Sequence, residues 1–116
     1  MRLRYSLPLI FALAIAPAGA ADIPAAQAAA HAGQTATVIG VLSNAHTDAK
    51  QMTFLDIGGV YPNNVFSAVM FPNPGRPAPD FSPLVGKTVA ITGEIKIFKG
   101  KPEIVLHSPD QVKVAH

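Results

Sequence analysis

Gly86-Lys-Thr-Val-Ala-Ile-Thr-Gly-Glu-Ile-Lys-Ile-Phe-Lys-Gly-Lys-Pro-Glu-Ile-Val-Leu-His107 reads as a long strand, a tight turn and a returning strand. From Thr88 to Phe98 polar and apolar residues alternate: Val89, Ile91, Ile95 and Ile97 share one face, and Thr88, Thr92, Glu94, Lys96 and Phe98 the other. If Lys99-Gly100 is a two-residue turn, the register sets Ile95 opposite Ile104, Lys96 opposite Glu103 and Leu106 opposite Gly93. The apolar residues of both strands then fall on one side, as a hairpin that covers a core requires. Gly93, without a side chain in mid-strand, predicts a bend or bulge of the kind that closes a small barrel.

Upstream of the hairpin the chain divides into short elements. Pro24 to Ala32 is predicted to form a short alanine-rich helix, with Asp22 as N-cap and Gly33 as stop. Strands follow at Thr35 to Ser43, Gln51 to Ile57 and Val65 to Phe71. The polar run Ser43 to Lys50 separates the first two, and the turn-forming run Gly58 to Asn64 the second and third. Pro72 to Asp80 is too rich in proline for regular structure, and Asp80 can cap one helical turn that Gly86 ends. Ser108 to His116 reads as a tail.

Residues 1–20 carry Arg2 and Arg4, an apolar run from Leu7 to Ala16, and Ala18-Gly19-Ala20, the order of a secretory signal peptide. The run falls short of the roughly 20 residues that span a bilayer, so no retained membrane anchor is expected. A periplasmic or secreted protein of residues 21–116, one domain, is the expected product. The sequence contains 0 cysteines, so packing and strand pairing must hold the fold without disulfides.

Among residues 21–116 the bases are Lys50, Arg76, Lys87, Lys96, Lys99, Lys101 and Lys113. The acids are Asp22, Asp48, Asp56, Asp80, Glu94, Glu103 and Asp110, so the net charge is zero. No global field draws in a polyanion; what remains is a local cluster of Lys96, Lys99 and Lys101 at the hairpin tip.

Three motifs resemble a known family. Ala29-Ala-His-Ala-Gly-Gln-Thr-Ala-Thr-Val-Ile-Gly40 is similar to the opening helix and first strand of an OB-fold. Thr53-Phe-Leu-Asp-Ile57 resembles the second-strand motif of the OB-fold anticodon-binding domains of tRNA synthetases. Gly86-Lys-Thr-Val-Ala-Ile-Thr-Gly93, with Gly100-Lys-Pro-Glu-Ile-Val105 and Ser108-Pro-Asp-Gln111, resembles exported OB modules of the kind also found beside secreted nucleases. The resemblance implies an all-β fold, a five-stranded OB-fold Greek-key barrel with a short N-terminal helix. It also implies a binding face on the second and third strands, flanked by the loops Ser43 to Lys50 and Phe98 to Pro102.

On that face, carry-over from the second-strand motif points Leu55 and Ile57 inward and Phe54 and Asp56 outward. Phe54 and Tyr61 are candidates to stack on bases, or else to pack on each other as structure. Phe66 is a further candidate, although both faces of its strand are apolar and periodicity leaves its side open. Lys50, Lys96, Lys99 and Lys101 are candidates to meet phosphates, or else protect a sheet edge. The ligand implied is single-stranded DNA or RNA; the alternative is an envelope protein bound on the same barrel face. His31, His46, His107 and His116 match no zinc spacing, and no nucleophile–base pair or glycine-rich phosphate loop appears. A non-catalytic module without cofactor or metal is therefore expected.

Overall fold

The computed structural model describes residues 21–115; the expected signal peptide lies outside the described residues. Seven strands follow one another: β1 (Ala21–Pro24), β2 (Thr35–Thr47), β3 (Thr53–Ile57), β4 (Phe66–Met70), β5 (Thr88–Phe98), β6 (Lys101–Leu106) and β7 (Val112–Val114). Three 3₁₀ segments, Ala25–His31, Ser82–Leu84 and Pro109–Gln111, complete the all-β fold. No described helix is long and apolar enough to cross a membrane.

The hairpin holds the register expected of it, with Ile95 opposite Ile104, Lys96 opposite Glu103 and Phe98 opposite Lys101. Lys99 and Gly100 both have positive φ, 51° and 82°. Those are the left-handed values that a two-residue turn matched to strand twist demands. The expectation fails beyond Ile95. Leu106 does not face Gly93; it pairs with Met70 in a parallel β4–β6 ladder, while β5 leaves β6 and pairs with β2 from Glu94 to Thr88. Ile97 shares the apolar side but is 49% exposed, because the hairpin tip runs past the core.

Pairing therefore runs β2–β3–β4–β6–β5 and returns to β2 through the β2–β5 ladder. Two glycines stand where the long strands change partners. At Gly93 a Cβ would lie 2.6 Å from Cγ2 of Ile104, and at Gly40 a Cβ would lie 2.6 Å from Cγ2 of Ile57. Real Cβ atoms do not approach so closely, so each strand bends over its neighbour only because no side chain intervenes. Inside the ring lie Val38, Leu42, Leu55, Ile57, Phe66, Ala68, Val89, Ile91, Ile95, Ile104 and Leu106.

Several boundaries differ from expectation. β2 continues to Thr47, through residues whose polarity reads as loop. Its outer half pairs with β3 after an irregularity between Leu42 and Asn44. The extension is secured by Thr47 Oγ1 to Thr53 Oγ1 at 3.0 Å, and the turn by Asp48 Oδ1, which accepts from Lys50 N at 2.8 Å and Met52 N at 3.0 Å. Asp22 caps no helix: Ala21–Pro24 forms a strand parallel to β2, with Ile23 buried. The helix that follows is 3₁₀, and its three-residue period sets the buried Ala25 and Ala28 on one side. Residues 108–114 are no tail. Ser108 and Gln111 form a capping box, and Val112–Val114 pairs with β5. Gln111 Oε1 accepts from His107 N at 2.6 Å and Ser108 N at 2.9 Å, and its Nε2 donates to Thr92 O at 2.9 Å.

Candidate functional site

Period-two geometry divides β3 and β4 cleanly. Leu55, Ile57, Phe66 and Ala68 turn into the core, and Phe54, Asp56, Ser67 and Val69 turn to the opposite side. A cleft of about 570 Å³ opens on that side, between the strands, the β3–β4 loop and the hairpin tip. Its floor consists of two cross-strand rows. One is polar, Asp56–Ser67–Glu103, and continues to Lys96 on β5. The other is His46–Phe54–Val69. The His46 and Phe54 rings stack, with centroids 5.2 Å apart and planes at 22°. Tyr61, 72% exposed, and Phe98, 56% exposed, form the rims.

Of the residues expected to bind, Phe54, Asp56, Tyr61, Lys99 and Lys101 line this cleft, and Phe66, Lys50 and Lys96 do not. Phe66 is a correction: it is fully buried in the core and cannot meet a ligand. Lys50 sits in the β2–β3 turn and Lys96 on the far side of Glu103. Asp56 is on the expected side yet only 4% exposed, because the β3–β4 loop covers it and Tyr61 N donates to its Oδ2 at 3.3 Å. Lys101 is fastened as well as charged. Its Nζ donates to Asn64 O at 3.2 Å, to Asn64 Oδ1 at 3.5 Å and to the carbonyl of Pro62, and lies 5.8 Å from the Tyr61 ring centroid. Asn64, itself buried, donates through Nδ2 to Phe66 O at 3.0 Å and Ser67 Oγ at 2.7 Å. This web fixes the loop over the cleft. Among the described residues Lys99 makes no such hydrogen bond, and its Nζ lies 5.4 Å from the Phe98 ring centroid.

Ser67 and Glu103 are cleft residues that the sequence does not assign to the face, and His46 and Phe98 lie in the two loops expected to flank it without being singled out as binding residues. Phe98 carries a local signal, an aromatic next to a turn, whereas Ser67 and Glu103 join the cleft only through the register across four strands. Partial withdrawal from water holds the Glu103 carboxyl above its ordinary value of 4.5, against the smaller downward pull of Lys96. A carboxyl raised in the folded state binds its proton more tightly than in the unfolded chain. Its stabilising contribution is thus full below 4.5 and disappears as pH rises through the folded value. Glu103→Gln should flatten that part of the pH–stability curve and raise the melting temperature slightly at neutral pH. Parallel thermal melts of the two proteins across the weakly acidic range check this, and superimposable pH dependences would refute it.

A second cleft, of about 730 Å³, lies under the proline-rich segment between Met70, Phe71, Pro72, Pro77 and Leu106. Its lining is mainly apolar. Among the described residues no group of three or more His, Asp or Glu side chains is arranged to hold a metal ion.

The fold recurs within a much larger enzyme. The chain is similar to part of a "putative aspartyl-tRNA synthetase" from Leishmania major Friedlin, at TM-score 0.56 and 11% identity. The match takes in 93% of this chain and 22% of that one, so this chain spans about a fifth of the synthetase's length. At that identity the likeness is one of fold. No family model and no curated protein matches the sequence.

Proposed function

We propose that this chain is an exported, non-catalytic OB-type module that binds single-stranded nucleic acid in the cleft over β3, β4 and β6. The observation that carries this reading is the cleft itself. A stacked His46–Phe54 pair on its floor, exposed aromatics on two rims and Lys99 over Phe98 at the hairpin tip occupy the surface on which OB barrels take single strands. The ring of β2, β3, β4, β6 and β5 supports the five-stranded barrel assignment, with β1 and β7 as additions at its margins. Similarity to part of a synthetase agrees with the resemblance of Thr53–Ile57 to an anticodon-binding strand. Residues 1–20 support export.

Neutral net charge and few free lysines imply weak binding that depends on stacking more than on phosphate neutralisation. The test is fluorescence anisotropy of a labelled single-stranded oligonucleotide at low and near-physiological salt. Saturable, salt-sensitive binding is expected. Phe54→Ala should weaken it by about 5- to 150-fold, since one stacked base is worth about 1–3 kcal/mol. Adding Lys99→Ala should make the salt slope shallower by about 0.7, the share of a single phosphate neutralised on a single strand. Lys101 is the wrong residue to truncate, because removing its side chain also frees the β3–β4 loop. No binding at low salt would overturn the reading. The apolar second cleft favours the alternative, an envelope protein partner, whose apolar docking would be nearly indifferent to salt.

A further inference from the structure

The polar row on the cleft floor goes beyond non-selective binding, and the inference from it rests on the nucleic-acid reading above. Asp56 and Glu103 flank Ser67 on β3, β6 and β4. Strand spacing sets the two acidic positions roughly 10 Å apart, enough to take a base between them. Carboxylates are poor neighbours for phosphates but good ones for base edges, because an ionised carboxylate only accepts hydrogen bonds. Asp56 is 4% exposed, lines the cleft, and among the described residues receives one hydrogen bond, from Tyr61 N to Oδ2. Glu103 is half-buried beside Ser67, and among the described residues its carboxyl receives no side-chain or backbone hydrogen bond. A carboxylate drawn partly out of water without a donor is suited to receive one from a ligand.

Base chemistry then discriminates. The Watson–Crick edge of guanine offers two adjacent donors, N1–H and the N2 amino group, which match the two oxygens of one carboxylate. Thymine and uracil present a single N3–H between two carbonyl oxygens, which a carboxylate repels. Single-strand readers recognise unstacked bases on these edges while an aromatic holds the face. Here the His46–Phe54 pair lies in the next row along the same strands. We propose that Glu103 is a specificity-determining residue of the cleft, accepting both donors of a guanine whose ring lies against the aromatic floor. Asp56, at the other end of the row, accepts from Tyr61 N of the rim.

The test compares a labelled oligo(dT) of about ten nucleotides, within the site size of an OB barrel, with the same strand carrying one central dG or one deoxyinosine. Wild-type protein should bind the dG strand about tenfold more tightly than oligo(dT), the scale of one good bidentate base interaction. The inosine strand, which lacks the N2 amino group, should fall between. Glu103→Gln should erase the dG advantage and tighten oligo(dT) binding, since a negative charge leaves the floor. The inference is overturned if wild type binds the three strands equally, or if the dG advantage persists in Glu103→Gln. Failure to bind any strand would overturn the nucleic-acid reading itself, a result distinct from binding without preference.

Discussion

Phe66→Ala should leave the protein only marginally stable under ordinary conditions. Phe66 is fully buried where β4 meets β3, opposite the equally buried Ile57. Truncating a buried phenylalanine costs about 3–5 kcal/mol, from forfeited transfer energy and the cavity left behind. A domain of this size has a total stability nearer the lower end of about 5–15 kcal/mol. The melting temperature should fall by tens of degrees, at about 4–8 °C per kcal/mol. Phe54→Ala, half-buried on the other side of the sheet, should shift it far less. Equal melting temperatures for wild type and Phe66→Ala would refute this packing. Where the melting temperature falls as expected, any drop in ligand binding by the Phe66 variant reports unfolding rather than the removal of a binding group.

Gly93→Ala should cost about 1–3 kcal/mol, the usual penalty for adding volume to a packed core. The new Cβ would lie 2.6 Å from Cγ2 of Ile104 and 3.2 Å from Nε2 of Gln111. Ile104 cannot withdraw, for it is fully buried and paired with both Ala68 and Ile95. Gln111 would be pushed off Thr92 O, loosening the turn that brings β7 to β5. Ile104→Leu removes the branch methyl at the point of collision, so Gly93→Ala/Ile104→Leu should recover part of the stability. Urea denaturation of the single and double variants measures both effects. A double variant no more stable than Gly93→Ala would place the strain elsewhere.

What could be read from the sequence follows how local each determinant is. The β5–β6 hairpin was legible because its turn and both apolar rows lie within one short segment. Gly93 announced the bend, but only the ladders show that β5 there exchanges β6 for β2. The outer half of β2 was hidden because an open face allows polar residues in a strand. β1 and β7 were hidden because three or four residues carry too little periodicity. In the cleft, Phe54, Asp56, Tyr61, Lys99 and Lys101 could be anticipated from a strand motif and a turn. Phe66 was misplaced because β4 carries buried apolar residues on both sides: even Val69, on the cleft side, is 6% exposed. Glu103 read as a mere partner for Lys96, because Ser67 and Asp56 join its row only through two further strand pairings.

Closure of the ring also sets the order in which the chain can assemble. The β5–β6 ladder joins residues separated by a two-residue turn, whereas the β2–β5 ladder joins residues 35–41 to residues 88–94. Hairpins form within about 1–10 μs, while pairings between distant segments are slow because chain entropy is spent before any attraction repays it. The meeting of β2 and β5, which joins the segments farthest apart in sequence among the ladders of the ring, should therefore come later than the hairpin. Until it occurs, both long strands present unpaired edges on which a second copy of the chain can pair.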